Sequence, residues 1–195
     1  MFTEKDNVYW KAFSDTIQAE FVERQYWYSP KAIYTYKGFS IVFDNYYFTS
    51  TVGTRSYESF ITRVYCKFNY PQSLKIRIEK ANFLNRLINI FTGNLYRTLD
   101  AEFDRQYHVH STNPNTCVFL SPAIRQSLMD LNIEGLFIDT QDGIWGDPLI
   151  GSQYEVAIYV ESKRLEEHEL IALKALFEAI IDSLCDKFYI TEALA

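Results

Sequence analysis

Two neighbouring runs, SFITRVYCKFNY and LKIRIEKA, alternate side-chain character with a period of two and are joined by PQS. Phe60, Val64, Cys66, Phe68 and Tyr70 fall on one side of such an extended chain, as do Leu74, Ile76 and Ile78. Arg63, Lys67, Lys75 and Arg77 fall on the other. Successive side chains leave a pleated strand on opposite faces, so this period is the mark of β-strands with one packed face and one polar face. With PQS as a tight turn, the runs form a hairpin that sets Lys67 opposite Arg77 and Tyr65 opposite Glu79, a small cationic face.

Other segments repeat the theme. AIYTY and FSIVFDNYYF precede the pair, and GLFID and QYEVAIYVE follow it. In the last of these, Tyr154, Val156, Ile158 and Val160 alternate without interruption. Helical spacing of three and four appears near both ends. Trp10, Phe13, Ile17 and Phe21 predict an amphipathic helix with Thr3 and Asp6 as a capping box, ending before Pro30. Leu170, Leu173, Phe177, Ile180 and Leu184 line a helix over 165–187, as core packing or, in a second reading, partly as a homodimer seam. Ser121 and Pro122 start a further helix, and LNRLINIFTGN reads as a short helix or turn. Helix, strands, helix, strands, helix is no repeated βαβ unit. The expectation is an α+β fold: a mainly antiparallel sheet of about six to eight strands with the N-terminal and C-terminal helices packed on it. No repeat or linker divides the 195 residues, so residues 1–195 form a single domain.

Aromatic content, 17%, suits a sheet with large contact surfaces. The clusters YWYS, YTY and NYYF either fill a sheet–helix core or line a hydrophobic ligand pocket there. A net charge of -6 argues against a general nucleic-acid binder, because phosphate affinity rests on Lys and Arg. Cys66, Cys117 and Cys185 are widely spaced and form no CxxC pair, which suits reduced thiols. With no signal peptide legible in MFTEKDNVYW and no long apolar run, a cytoplasmic bacterial protein without a membrane span is expected.

Chemistry-bearing residues are few. EFDRQYHVHSTNP reads as a strand that places Glu102, Asp104, Gln106, His108 and His110 on one face. Histidines two apart on a strand stand ~7 Å apart at the backbone, within reach of one metal ion, but no third ligand follows at metal spacing. Asp104 and His108 form a candidate acid–base pair without an accompanying nucleophile motif. The loop DTQDGIWGDPLIG collects Asp139, Asp142 and Asp147 at spacings that suit turns better than calcium. Trp145 in that loop is a core plug or a partner contact. Phosphate-loop, dinucleotide and nucleophile-elbow motifs are absent from the sequence, and no cofactor is expected.

The stretches TRVYCKF, LKIRIEK and FDRQYHVHSTNP, followed by LSP at 120–122, resemble an uncharacterised bacterial protein family. Its hallmark is F-D-x-x-[FY]-x-V-x-S-x-x-P, and the resemblance covers about residues 59–131. In that pattern the position of His110 is usually Arg and that of His108 usually apolar. Some relatives carry membrane segments, and the resemblance implies no catalytic residues.

The preferred reading is a non-enzymatic module that binds a protein partner or small ligand. A second is a hydrolytic enzyme, metal-dependent or not, using Asp104, His108 and His110. The third is anion or nucleic-acid contact through Arg63, Lys67, Lys75 and Arg77.

Overall fold

The computed structural model describes residues 2–26, 28–52, 55–80, 94–144 and 146–193. Helix α1, Glu4–Ile17, leads to the short strand β1, Glu20–Val22, then to β2, Lys31–Tyr36, β3, Phe39–Val52, and β4, Arg55–Asn69. Strands β5, Ile76–Lys80, and β6, Asn94–Tyr96, precede helix α2, Ala101–Gln106, and strand β7, Tyr107–Ser111. A 3-10 turn at Pro114–Phe119 reaches helix α3, Pro122–Asp130. The remainder is β8, Gly135–Asp139, β9, Gln153–Val160, helix α4, Glu167–Phe188, and β10, Thr191–Glu192.

Among the described residues the strand pairs are antiparallel, in the order β1-β2-β3-β4-β9-β8-β5-β7-β6, with β10 against the end of β4. The α+β expectation holds. Ten strands among the described residues exceed the expected number, and β1, β6 and β10 are only two or three residues long, too short to show a period.

One sheet face carries the main core. Phe43, Val64, Cys66, Phe68, Ile76, Ile78, Val156 and Ile158 meet Trp10 and Phe13 of α1 and the α4 stripe Leu170, Leu173, Phe177, Ile180 and Leu184. Those α4 residues are almost completely buried within the chain, so the stripe is core packing. Burying it is what makes so apolar a helix stable, because helical propensity alone contributes little. Among the described residues, no helix is long and apolar enough to cross a membrane.

Three local expectations are corrected. PQS is not a hairpin turn, since β9 and β8 lie between β4 and β5. The Tyr154 hydroxyl donates to the Gln72 carbonyl at 2.9 Å and accepts from the Leu74 amide at 3.3 Å, holding this segment as it crosses the end of β9. Residues 102–111 are not one strand: the Asp100 carboxylate accepts from the Phe103 amide at 3.2 Å and starts α2, and the strand begins only at Tyr107. Helix α1 stops at Ile17 because Gln18 takes a left-handed conformation with φ 55°, which places Phe21 in β1. The stretch LNRLINIFTGN falls largely, and Trp145 entirely, outside the described residues.

Candidate functional site

The sheet face away from α1 and α4 is built in rows among the described residues. Asp44, Arg63, Tyr159, Gly135, Glu79 and His108 stand side by side, one from each of β3, β4, β9, β8, β5 and β7. In a parallel row, Lys67 adjoins Glu155, which adjoins Asp139. Separation of β4 from β5 therefore interleaves acidic positions between the basic ones.

The consequence for the expected cationic face is direct. Arg63 pairs with Asp44, Lys67 with Asp142 at 2.9 Å, Lys75 with Asp139 at 2.9 Å and Arg77 with Glu79 at 2.9 Å. These four cations have carboxylate partners, unlike the hairpin arrangement that would set Lys67 against Arg77. The histidine group is also dispersed. Asp104 sits on α2, where its carboxylate accepts from the Thr98 amide at 3.0 Å and the Thr98 hydroxyl at 2.9 Å. His108 and His110 remain neighbours on β7, half-buried, with ring centroids 6.4 Å apart. Among the described residues, no three His, Cys, Asp or Glu side chains converge as a metal would need.

A different constellation emerges around Arg63. Its Nε and Nη2 donate to the two Asp44 oxygens at 3.0 and 2.8 Å, a bidentate pair in which both side chains are buried. The guanidinium carbon lies 4.0 Å from the Tyr65 ring centroid and 4.9 Å from that of Tyr46. Burial opposes its charge, and the Asp44 carboxylate more than offsets this, so Arg63 stays protonated. Its Nη1 is 3.9 Å from Glu155 Oε1.

Glu155 is the unusual member. It lies on β9, 3% exposed, where burial first and the Asp142 charge second push its carboxyl up to about 8, against the opposing pull of Arg63. Oε1 accepts from the Gly143 amide at 3.0 Å, and Oε2 finds no donor. A protonated Glu155 resolves that orphaned oxygen, because it can then donate to the Asp142 carboxylate beside it. Lys67 and Arg63 hold Asp142 itself below its ordinary value, against burial. The cluster thus contains two cations, two carboxylates and one neutral acid.

The segment between β8 and β9 covers this cluster. The Asp142 amide donates to the Asp147 carbonyl at 3.0 Å and the Gln141 side chain to the Gly146 carbonyl at 2.8 Å, closing the loop on itself. Gly143 has φ 66°, and a Cβ there would come within 3.0 Å of Arg63 Nη1, so the turn needs glycine. Ile144 packs on a small second core of Ile61, Ala157 and Tyr159.

Beside the loop opens a cleft of about 590 Å³. Asp44, Tyr46, Arg63, Tyr65 and Asp142 line it from the sheet and loop, and Phe2, Tyr28, Ser29, Lys31, Tyr47 and Asp147 from its margins. Of the clusters YWYS, YTY and NYYF, Tyr28, Tyr46 and Tyr47 line this cleft, whereas Tyr34 and Tyr36 pack against the main core. Asp44 and Glu155 were not among the residues singled out from the sequence. The signal that would find the acids is a lone carboxylate in an apolar strand, FSIVFDNYYF and QYEVAIYV.

Comparison with protein-family models, curated proteins and solved structures finds no match.

Proposed function

We propose that the protein is a binding module whose cleft beside Arg63 takes a small polar ligand. One observation carries this reading: a buried, internally neutralised charge cluster floors a cleft lined by four tyrosines. Buried ion pairs rarely stabilise a fold more than apolar residues of the same shape, so their presence beneath an opening favours a role in recognition. The volume lies in the range of small-molecule sites, about 300–1,000 Å³. The hydrolytic alternative finds less support, since Asp104 is engaged by Thr98 and the cleft is remote in the strand order from His108 and His110. The anion alternative is weakened by the carboxylate beside each of its four cations.

Nuclear magnetic resonance titration of the full chain with a panel of sugars, amino acids, amines and nucleosides tests the reading. At least one compound should shift the amides of Asp44, Tyr46, Arg63 and Tyr65, with weaker binding after Lys31→Ala combined with Asp147→Ala. Shifts confined to other surfaces, or none, would overturn it.

A further inference from the structure

Resting on that cleft as a ligand site, we propose that a proton on Glu155 operates the wall that the β8–β9 segment gives it. With the proton in place the segment stays closed on the sheet. Without it the segment lifts, and the cleft loses its hold on a ligand. Asp142, Gly146 and Asp147 of that segment line the cleft together with Asp44 and Arg63 of the sheet.

The segment is built to move as a unit. The Asp142 amide donates to the Asp147 carbonyl at 3.0 Å and the Leu149 amide to the Thr140 carbonyl at 2.8 Å, bonds that are internal to it. It is tied to the sheet by Lys67 to Asp142 at 2.9 Å and by the Gly143 amide to Glu155 Oε1 at 3.0 Å. One tie therefore ends on Glu155 and the other on the carboxylate beside it.

Oε2 of Glu155 is buried without a donor. That suits a protonated oxygen donating to Asp142; an ionised one would be an acceptor shut from water beside a second carboxylate. The groups around it do not relieve that charge in place. Arg63 Nε and Nη2 are held by Asp44, and its Nη1 lies 3.9 Å from Oε1, the oxygen that Gly143 already serves. Lys67 is engaged by Asp142; Asp139, opposite Glu155 on β8, adds negative charge and is engaged by Lys75. Burial raises the phenols of Tyr46, Tyr65 and Tyr159 and the thiol of Cys66, so all four stay neutral. The loop, exposed at Thr140, Asp147 and Pro148, has solvent on its outer side, and its movement brings water to Oε2.

Burial pushes the Glu155 carboxyl up to about 8 with the loop closed, and in water it returns to the ordinary 4.5. Preference for the closed loop is thus fully present below pH 4.5 and is lost as pH rises to 8.

Hydrogen exchange of the Gly143 amide in the ligand-free full chain separates release from ionisation without movement. In a stationary loop, charge on Oε1 strengthens the bond, and protection relative to an unstructured chain at the same pH rises. Release has the opposite sign: protection should fall by at least about tenfold between about pH 5 and 8. Glu155→Gln keeps an acceptor for Gly143 and a donor for Asp142, so its protection should stay level, and Asp142→Asn should lessen the fall. Protection that rises or stays level in the wild type, or falls equally in Glu155→Gln, overturns the proposal. The best binder from the compound panel should lose more affinity over the same range in the wild type than in Glu155→Gln, and equal losses would overturn regulation of the cleft. Should no compound bind while protection falls, the ligand reading falls and the proton-operated loop stands. Should a compound shift the cleft amides while protection stays level, the loop device falls and the site stands.

Discussion

Arg63 is fixed by two hydrogen bonds to Asp44 and by the rings of Tyr46 and Tyr65, all on the sheet face away from the helices. Replacing it with Met strands the Asp44 carboxylate out of water, and urea denaturation should show a loss of about 3–5 kcal/mol. Combining Arg63→Met with Asp44→Leu and Glu155→Gln removes the stranded charge and should restore most of that loss; equal instability would mean that the cluster holds the fold. Glu155 adds a pH dependence. Its folded value of about 8 exceeds the ordinary 4.5, so its contribution is fully present below pH 4.5 and is lost as pH rises through 8. Wild-type urea midpoints should therefore fall between about pH 4.5 and 8 relative to Glu155→Gln, and parallel curves would contradict a protonated Glu155. The sequence displays Asp44 and Glu155 as charges inside apolar runs, but not their common partner. That pairing joins residues 44, 63 and 155 through the strand order, which no local pattern encodes.

Element ends were more legible. The predicted capping box at α1 forms, with the Asp6 carboxylate accepting from the Thr3 amide at 2.7 Å, and Ser121 accepts from the Ile124 amide at 3.2 Å at the start of α3. Both signals act within four residues, so the sequence carries them whole. Asp6 also reaches Arg164 at 2.8 Å and Lys163 at 3.1 Å, which ties α1 to the segment before α4. Burial would raise its carboxyl, but Arg164, the Thr3 amide and Lys163 hold it at about 2. This stabilisation is present above its ordinary value of 3.8 and is lost as pH falls through 2. Asp6→Asn should cost roughly 2 kcal/mol at neutral pH and less in acid, measured by urea denaturation. In the loop, Gly143→Ala should cost about 1–2 kcal/mol through its positive φ, with chemical-shift changes at Arg63 and Glu155. Helix α2 escaped the strand reading because six residues are too few for a helical period, and its Asp100 cap lies just before the stretch so read.

Across the whole molecule, β4 and β9 occupy the middle of the sheet while β1 and β6 close its edges. Hydrogen exchange should be slowest in the β4–β9 pair and fastest in β1 and β6, and equal protection would argue against this order. The terminal helices, the packed faces of β4 and β5 and the antiparallel α+β class follow from periods of 3.6 and 2, which are properties of consecutive residues. Strand neighbours are not such a property. Two amphipathic strands expose the same ladder of amides and carbonyls to any partner, so adjacency in sequence suggested a β4–β5 hairpin. Strand β9, buried from Tyr154 through Val160, instead occupies the place beside β4 and carries Glu155 to Arg63. What the sequence determined by itself was the two terminal helices, their buried stripes and the packed faces of β4 and β5, because these are set by the spacing of consecutive residues. Only tertiary packing decided that the acid-bearing strands β9 and β8 lie between the basic strands β4 and β5, because burial of β9 on both faces outweighs the short connection. That choice set a carboxylate beside each of the four cations of the expected cationic face.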